Sequence, residues 1–577
     1  METTTLKNKE VLSTVLQEIS GAEAVIKILL EEGVDTVFGY PGGAIMPVYD
    51  ALYGYREQLK HVLTRHEQGA THAAQGYARV SGKVGVCFAT SGPGATNLIT
   101  GLADAMIDST PLVCITGQVH SSLLGTDAFQ ETDVVGISMP VTKWNCQVTS
   151  AKDLEKVLAK AFYVARSGRP GPVLVDITKD AQFELFEYNY KSCTKVRSYI
   201  PKPRLDLSQL VFAADLINQA KKPLVLVGQG VLLAEAETEL KIFLEKIGAP
   251  AAWTLLGLSA LPSDHYLNVG MLGMHGNYAP NIKTNECDVL IAIGMRFDDR
   301  VTGDLKRYAK QAKVVHLEID PAEINKNVYA HAPVLGDAKE SLKALTELLV
   351  PNEHDTWLNS FRLLEEEEKK QVITPQLHPN EGELLMAEVV RRVSEATLHD
   401  AVLVTDVGQH QMVASRYFKF KNSKNSVTSG GLGTMGFALP AALGAKMAKP
   451  KQTVVAFIGD GGFQMTLQEL GTIQQENLAV KIIILNNNYL GMVRQWQELF
   501  FERRYSETNI SSPNFVALAG AYGIRGQRVN ERVNLDEAIT EMLEHDGAYL
   551  LEVMVKKEGN VFPMIETGSS VSEIRLS

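Results

Sequence analysis

A chain of 577 residues is too long for one hydrophobic core and divides into about three domains of ordinary size. Its 45% hydrophobic and 21% charged content is that of a globular protein, and a net charge of −11 with no basic patch argues against nucleic acid and anionic membranes as partners. Five widely spaced cysteines (Cys87, Cys114, Cys146, Cys193 and Cys287), no secretory or transit-type leader and no apolar run of roughly 18 residues point to reduced thiols in a cytoplasmic protein.

Residues 1–19 read as an N-terminal extension and 20–190 as the first domain. Ser20 and Glu23 predict a capping box, and the periodicity of Ala24, Ile28 and Leu29 ends at Gly33, which predicts a helix. Strand-like 36–38 runs into Tyr40-Pro41-Gly42-Gly43. Helical 68–80, strand 84–89, the turn Ser91-Gly92-Pro93-Gly94-Ala95-Thr96-Asn97, a helix and strand 111–116 repeat the pattern. Such alternation predicts a doubly wound parallel sheet with helices on both faces. Glu67 begins a helix of small and apolar residues, and on residue type alone it is a carboxylate placed by the helix dipole. Further polar points are Gly125-Thr126-Asp127-Ala128-Phe129-Gln130-Glu131, and the cations Arg169 and Lys179 flanking strand 173–177, which alone read as solvated strand ends.

A Lys-, Ser- and Pro-rich linker, 191–203, opens the middle domain, 191–350. Strands 223–227, 289–293 and 314–319 end in Gly228-Gln229-Gly230, Gly294 and Asp320, turns able to hold a nucleotide. GxGxxG is absent after Val227, which argues against a nicotinamide dehydrogenase. Arg296, in Arg296-Phe297-Asp298-Asp299-Arg300-Val301-Thr302-Gly303, can neutralise a diphosphate, and Glu318 or Asp320 can accept bonds from a ribose or adenine. A surface salt-bridge cluster is the other reading of this run.

The charged stretch 365–371 with Pro375 and Pro379 reads as a linker, 351–379, before the third domain, 380–577. Strand 402–405 leads to Asp406-Val407-Gly408-Gln409-His410-Gln411, whose amides and polar side chains could meet phosphates. The glycine-rich run from Gly430 to Pro440 permits close backbone approach to a ligand, and Met435 within it reads first as a core filler. Residues 454–488 hold two buried-strand patterns ending in Gly459-Asp460-Gly461 and Asn486-Asn487, with a helix expected after Gly462. Parallel neighbours would bring both ends to one carboxyl edge, where open α/β sheets bind ligands. Mg²⁺ on a diphosphate wants oxygen ligands, which Asp460, Asn487 and a carbonyl near Tyr489 can give; Gly459, Gly461 and Gly462 and the helix N-terminus suit the phosphates. Alone, Gly-Asp-Gly is as readily a tight turn. Met492 and Trp496 follow in Tyr489-Leu490-Gly491-Met492-Val493-Arg494-Gln495-Trp496-Gln497.

The run from Gly-Asp-Gly to Asn-Asn resembles the thiamine-diphosphate signature, and the motifs above, with Gly273-Met274-His275-Gly276, resemble in order those of biosynthetic acetohydroxyacid synthases. The resemblance implies three α/β domains, binding in turn the cofactor's pyrimidine (20–190), FAD (191–350) and the diphosphate with Mg²⁺ (380–577). It implies that Glu67 bonds the aminopyrimidine ring nitrogen and so activates the cofactor, that Met435 bends it, and that Met492 contacts its thiazolium. Phe129, Gln130 and Lys179 then lie on the substrate side and Trp496 shapes the acceptor pocket. Gly408, Gln409, His410, Gly433, Gly459, Gly461 and Gly462 complete the thiamine site.

For a flavin without net redox role the resemblance implies Arg169, Gly228, Gly230, Gly273, His275, Gly276, Arg296, Asp298, Arg300, Glu318, Asp320 and Asp337. The implied reaction decarboxylates pyruvate and joins the two-carbon unit to pyruvate or 2-ketobutyrate, giving 2-acetolactate or 2-aceto-2-hydroxybutyrate for branched-chain amino acid biosynthesis. Implied partners are further catalytic chains, in a homodimer or tetramer, and a small regulatory subunit. Catabolic acetolactate synthases, pyruvate oxidases and glyoxylate carboligases share the metal motif, and a non-catalytic homologue is the alternative from another class.

Overall fold

The computed structural model describes residues 17–577; most of the expected N-terminal extension, 1–16, lies outside them. The first domain carries strands β1 (Gln17–Ser20), β2 (Thr36–Gly39), β3 (Lys60–Leu63), β4 (Gly85–Ala89), β5 (Leu112–Gln118), β6 (Trp144–Val148), β7 (Pro172–Thr178) and β8 (Leu185–Tyr188). Its parallel six-stranded sheet has the order β3-β2-β4-β5-β7-β6, while β1 and β8 pair antiparallel apart from it. Helix α1 (Gly21–Glu31) is capped by Ser20 Oγ, which accepts from Glu23 N at 3.2 Å. The expected capping box is half made, because the Glu23 carboxylate instead accepts from the Tyr55 hydroxyl at 2.8 Å. Two further helices matter below, α2 (Glu67–Ser81) and α3 (Ile99–Ile107).

The central domain repeats the architecture with β9 (Pro223–Val227), β10 (Ala251–Trp253), β11 (Asn268–Met271), β12 (Val289–Ile293), β13 (Lys313–Glu318) and β14 (Ala332–Leu335), ordered β11-β10-β9-β12-β13-β14. The stretch expected as a linker is largely helical: α4 (Asp355–Glu368) continues through a π turn, Lys369–Ile373, into Thr374–Leu377. Apart from Glu368, its charge run lies on the outer side of an amphipathic helix whose inner residues, Trp357 and Phe361, enter the core of Leu224, Leu290 and Tyr308. Trp357 Nε1 donates to Pro223 O at 2.8 Å. At the helix end, buried Glu368 pairs with Arg416 of the third domain and accepts from Tyr278 N of the central one.

In the third domain β15 (Val402–Thr405), β16 (Ser426–Thr428), β17 (Val454–Gly459), β18 (Val480–Asn486), β19 (Arg525–Val529) and β20 (Tyr549–Met554) form a parallel sheet ordered β16-β15-β17-β18-β20-β19. The fold class is therefore the expected one, three doubly wound α/β domains. β17 and β18 are adjacent and wholly buried, as apolar strands covered on both faces must be. The helices used below are α5 (Gln409–Tyr417), α6 (Ala438–Ala448), α7 (Asp460–Thr466) and α8 (Gly491–Phe500). α7 starts at Asp460 itself, earlier than expected, because an acid in the first turn suits the helix dipole as well as a glycine does.

The first and third domains meet along α2 and α6, where backbones touch: a Cβ on Gly76 would stand 2.0 Å from Ala441 O, and one on Gly444 would stand 1.8 Å from Ala73 O. The C-terminal tail returns to the central domain, with Ile565, Val571 and Ile574 in the core beside Phe361 and Ser569 O accepting from Asp304 N at 2.9 Å. No described helix is long and apolar enough to cross a membrane, and all five cysteines are free.

Candidate active site

In all three domains the chemistry-bearing residues follow the carboxyl ends of parallel strands. Glu67 comes after β3, Asn97 after β4, Lys179 after β7, Arg296 after β12, Asp460 after β17 and Asn487 after β18. Strand ends thus gather residues far apart in sequence.

In the third domain Val407, Gly408, Gln409, His410, Met435, Gly459, Asp460, Gly461, Gly462, Asn487, Tyr489 and Met492 line one small cleft. Asp460 Oδ2 accepts from Ser512 Oγ at 3.2 Å, whereas its Oδ1 is buried without a partner. Burial pushes the Asp460 carboxyl up to about 6, so a cation beside it would repay the desolvation. Asn487 Oδ1 accepts from Tyr489 N at 3.2 Å and keeps a second lone pair. His410 is held neutral by burial, down to about 3, and its Nε2 is likewise buried without a partner. A Cβ on Gly461 would stand 2.7 Å from Leu490 Cδ2, so only glycine leaves that wall of the cleft open. An unpaired carboxylate oxygen, an amide oxygen and a helix N-terminus fit a divalent cation with a diphosphate.

Across Met435 and Met492 this cleft adjoins a cavity of about 1180 Å³ between the domains. Of the residues expected around a flavin, Arg169, Gly230, Gly273, His275, Arg296, Asp298, Arg300, Glu318 and Asp337 line it, as do Gly433 and Trp496. Gly228, Gly276 and Asp320 do not. Gly228 and Gly276 lie flush against backbone, where a Cβ would stand 2.2 Å from Gly294 O and 2.5 Å from Met271 O. Asp320 pairs with Arg169 at 3.2 Å, and Glu323 takes the same guanidinium at 3.0 Å, so Arg169 bridges the first and central domains. Asp298 and Asp337 cap the helices Asp299–Thr302 and Ala338–Leu348 through their carboxylates. Burial pushes Glu318 up to about 7, so its protonated form, which can donate as well as accept, is within reach near neutral pH. The volume and the glycine turns after β9 and β12 fit a dinucleotide.

Glu67 lines neither space. It is 8% exposed at the start of α2, where Asn97 Nδ2 donates to its Oε2 at 3.0 Å. Gln130 lies beside the same turn, its carbonyl 2.8 Å from where a Cβ of Gly92 would be, and Phe129 is 88% exposed. Lys179 opens a helical turn, Lys179–Phe183, outside both spaces. Thus Glu67, Gln130 and Asn97 share one face of the first domain, separate from the Asp460 cleft of their own chain.

Sequence reasoning missed several residues around these groups. Asn97 was quoted only as part of a turn. Asp406, buried and pushed up to about 6, accepts from Gly436 N and Ala438 N at 3.0 Å and so supports the glycine-rich loop. Buried Glu469 accepts from Arg65 N at 3.0 Å, next to Glu67. Position after a strand marks Asp406; no local pattern marks Glu469, whose partner is 404 residues away.

Residues 19–137 match the family described as the thiamine pyrophosphate enzyme N-terminal TPP binding domain, 210–345 the central domain, and 406–553 the C-terminal TPP binding domain. The chain is 48% identical over 558 residues to the acetolactate synthase isozyme 2 large subunit of Escherichia coli K12, covering 96% of this chain and 99% of that one. It is 45% identical over 575 residues to the acetolactate synthase large subunit of Corynebacterium glutamicum (98% and 91% covered). With that of Lactococcus lactis the identity is 43% over 558 residues (96% and 96% covered). The chain therefore belongs to the acetolactate synthase large subunits, thiamine-diphosphate-dependent enzymes.

Proposed function

We propose that the chain decarboxylates pyruvate and joins the two-carbon unit to a second 2-keto acid, pyruvate or 2-ketobutyrate, in branched-chain amino acid biosynthesis in the cytoplasm. The observation that carries this reading is the buried, unpaired Asp460 Oδ1 in a cleft walled by Met435 and Met492. Bound there, thiamine diphosphate supplies the carbon nucleophile and electron sink that such a decarboxylation requires. Asp460, Asn487 and the carbonyl of Tyr489 would hold Mg²⁺, and Gly408, Gln409 and His410 would meet the diphosphate. Met435 supports the bent cofactor. Met492, Val493 and Trp496 keep water, the competing proton donor, from the reacting carbon and shape the acceptor pocket.

Glu67 bonds the pyrimidine nitrogen. Asn97, donating to Oε2, holds the carboxylate in place for that bond. Phe129, Gln130 and Lys179 border the substrate's path. The large cavity would hold FAD without net redox role, with Arg296 able to neutralise its diphosphate and Glu318 able to bond its ribose or adenine. The domains at 20–190, 191–350 and 380–577 then bind pyrimidine, flavin and diphosphate in turn.

Since Glu67 lines neither space in its own chain, the site is completed by a second copy, in a dimer or a tetramer. A separate regulatory subunit accords with the name large subunit given to the relatives. A catabolic acetolactate synthase is the second reading, and the dinucleotide-sized cavity weighs against it. The test is the flavin spectrum of the purified protein and acetolactate formation from pyruvate with and without thiamine diphosphate and Mg²⁺. Dependence on both is expected; turnover without either would overturn the reading.

A further inference from the structure

We propose that Asp104 and Asp108, on the first domain, are positioning residues for Met435: two buried carboxylates one helical turn apart grip the glycine-rich loop that carries it. The inference rests on the role of Met435 given above.

The loop, Ser429 to Gly436, joins β16 to α6. Its four glycines include Gly433 and Gly436 at φ of 71° and 84°, a composition that leaves the backbone little preference for one path. Leu432 is 45% exposed and gives the loop no apolar anchor. Hydrogen bonds to carboxylates hold it instead. Asp108, which follows α3, accepts from Gly430 N at 2.8 Å through Oδ2 and from Gly431 N at 2.7 Å through Oδ1. Arg79 of α2 pairs with Asp108 at 2.8 Å and donates to Thr428 O at 2.5 Å, closing the grip at the end of β16. Asp104 Oδ1 accepts from Thr434 Oγ1 at 2.8 Å and from the Ser429 hydroxyl, and Ser429 Oγ accepts from Thr434 N at 2.8 Å. On the far side Gly436 N donates to Asp406 at 3.0 Å. Met435 therefore sits between two pinned neighbours, Thr434 on a first-domain acid and Gly436 on a third-domain acid.

The cost of this arrangement argues for its purpose. Burial and the neighbouring Asp108 push the Asp104 carboxyl up, and its Oδ2 has no partner. Packing with apolar side chains would avoid that cost. Apolar contacts, however, do not fix the direction of peptide planes, and bonds to the amides of Gly430, Gly431 and Thr434 do. A Cβ on Gly431 would stand 2.9 Å from Ile107 Cγ1 and 3.0 Å from Asp108 Oδ1, so the loop lies flush on the end of α3. None of these acids lines the cleft or the large cavity, and this leaves them no direct part in the chemistry.

The test compares Asp104→Ala, Asp104→Asn and Thr434→Val in the full chain. Three quantities are read: amide hydrogen exchange of residues 429–436 without cofactor, thiamine diphosphate affinity from quenching of tryptophan fluorescence, and kcat and KM for pyruvate at saturating cofactor. Asp104→Ala is expected to speed exchange in the loop and to weaken cofactor binding and kcat each by about 10-fold or more, with KM for pyruvate within about twofold. Asp104→Asn keeps an oxygen acceptor for Ser429 and Thr434, so it should stay within about threefold of the wild type. Thr434→Val should reproduce the alanine variant, and the double variant should be no worse than either single one. Thr434→Val also carries the test if Asp104→Ala does not fold.

Unchanged exchange would overturn the proposal, and so would faster exchange with unchanged affinity and kcat. If the wild type forms no acetolactate, the reading of function fails, while exchange and cofactor affinity still decide the clamp.

Discussion

The two halves of the proposed thiamine site are finished to different degrees within one chain. On the third domain, Asp460, Asn487 and His410 are buried, Met435 and Met492 wall the cleft, and the unpaired atoms are those a cation and phosphates would take. On the first domain, Glu67 is buried and held by Asn97 and lines neither the cleft nor the large cavity, while Phe129 of the same domain is 88% exposed. On the proposed function, burial without a partner marks the half that takes a small ligand, and an exposed apolar side chain on the domain that carries Glu67 marks the half completed by another surface.

This contrast can be broken most severely at Asp460. Asp460→Ala removes the one carboxylate of the cleft, and acetolactate formation should fall by ~10³-fold together with cofactor affinity measured by titration calorimetry. Glu67→Gln should lower kcat by ~10²-fold while diphosphate-side affinity stays within about threefold. If its affinity falls in step with kcat, the halves are not separable. Between them lies the α2–α6 contact, where Gly76→Ala sets a methyl group against Ala441 O and should cost about 1–3 kcal/mol in denaturant unfolding. A smaller loss would mean that the helices yield.

The smallest effect concerns pH. Burial lifts Glu469 from the usual 4.5 to about 7, facing Thr472 on its own segment and Arg65 and His66 beside α2. Its protonated form is the one the fold favours, so its contribution is complete below about 4.5 and is lost as pH rises through about 7. The Tm of Glu469→Gln minus that of the wild type should therefore grow between pH 5 and pH 8, by on the order of 1 °C. A constant difference would contradict the shift.

Sequence carried the strands and the residues just after them, because parallel buried strands are continuous apolar runs and their ends have to turn. β9, β12 and β15 begin and end where the pattern predicts. What escaped depends on contacts distant in sequence. The charge of 365–371 hid α4, whose inner face is visible only against the central core. The half-made cap of α1 reflects Tyr55, a partner 32 residues away. Asp104 stands in an ordinary apolar helix and Asp108 just after it, and the loop residues they hold lie more than 320 residues on.

The most direct measurement is complementation. Glu67→Gln and Asp460→Ala chains, each inactive alone, are co-expressed with different tags, and the species carrying both is purified. A site built from two copies leaves one intact site of two in that species, and about half of the wild-type acetolactate activity should return. No activity in the mixed species would mean that each chain completes its own site.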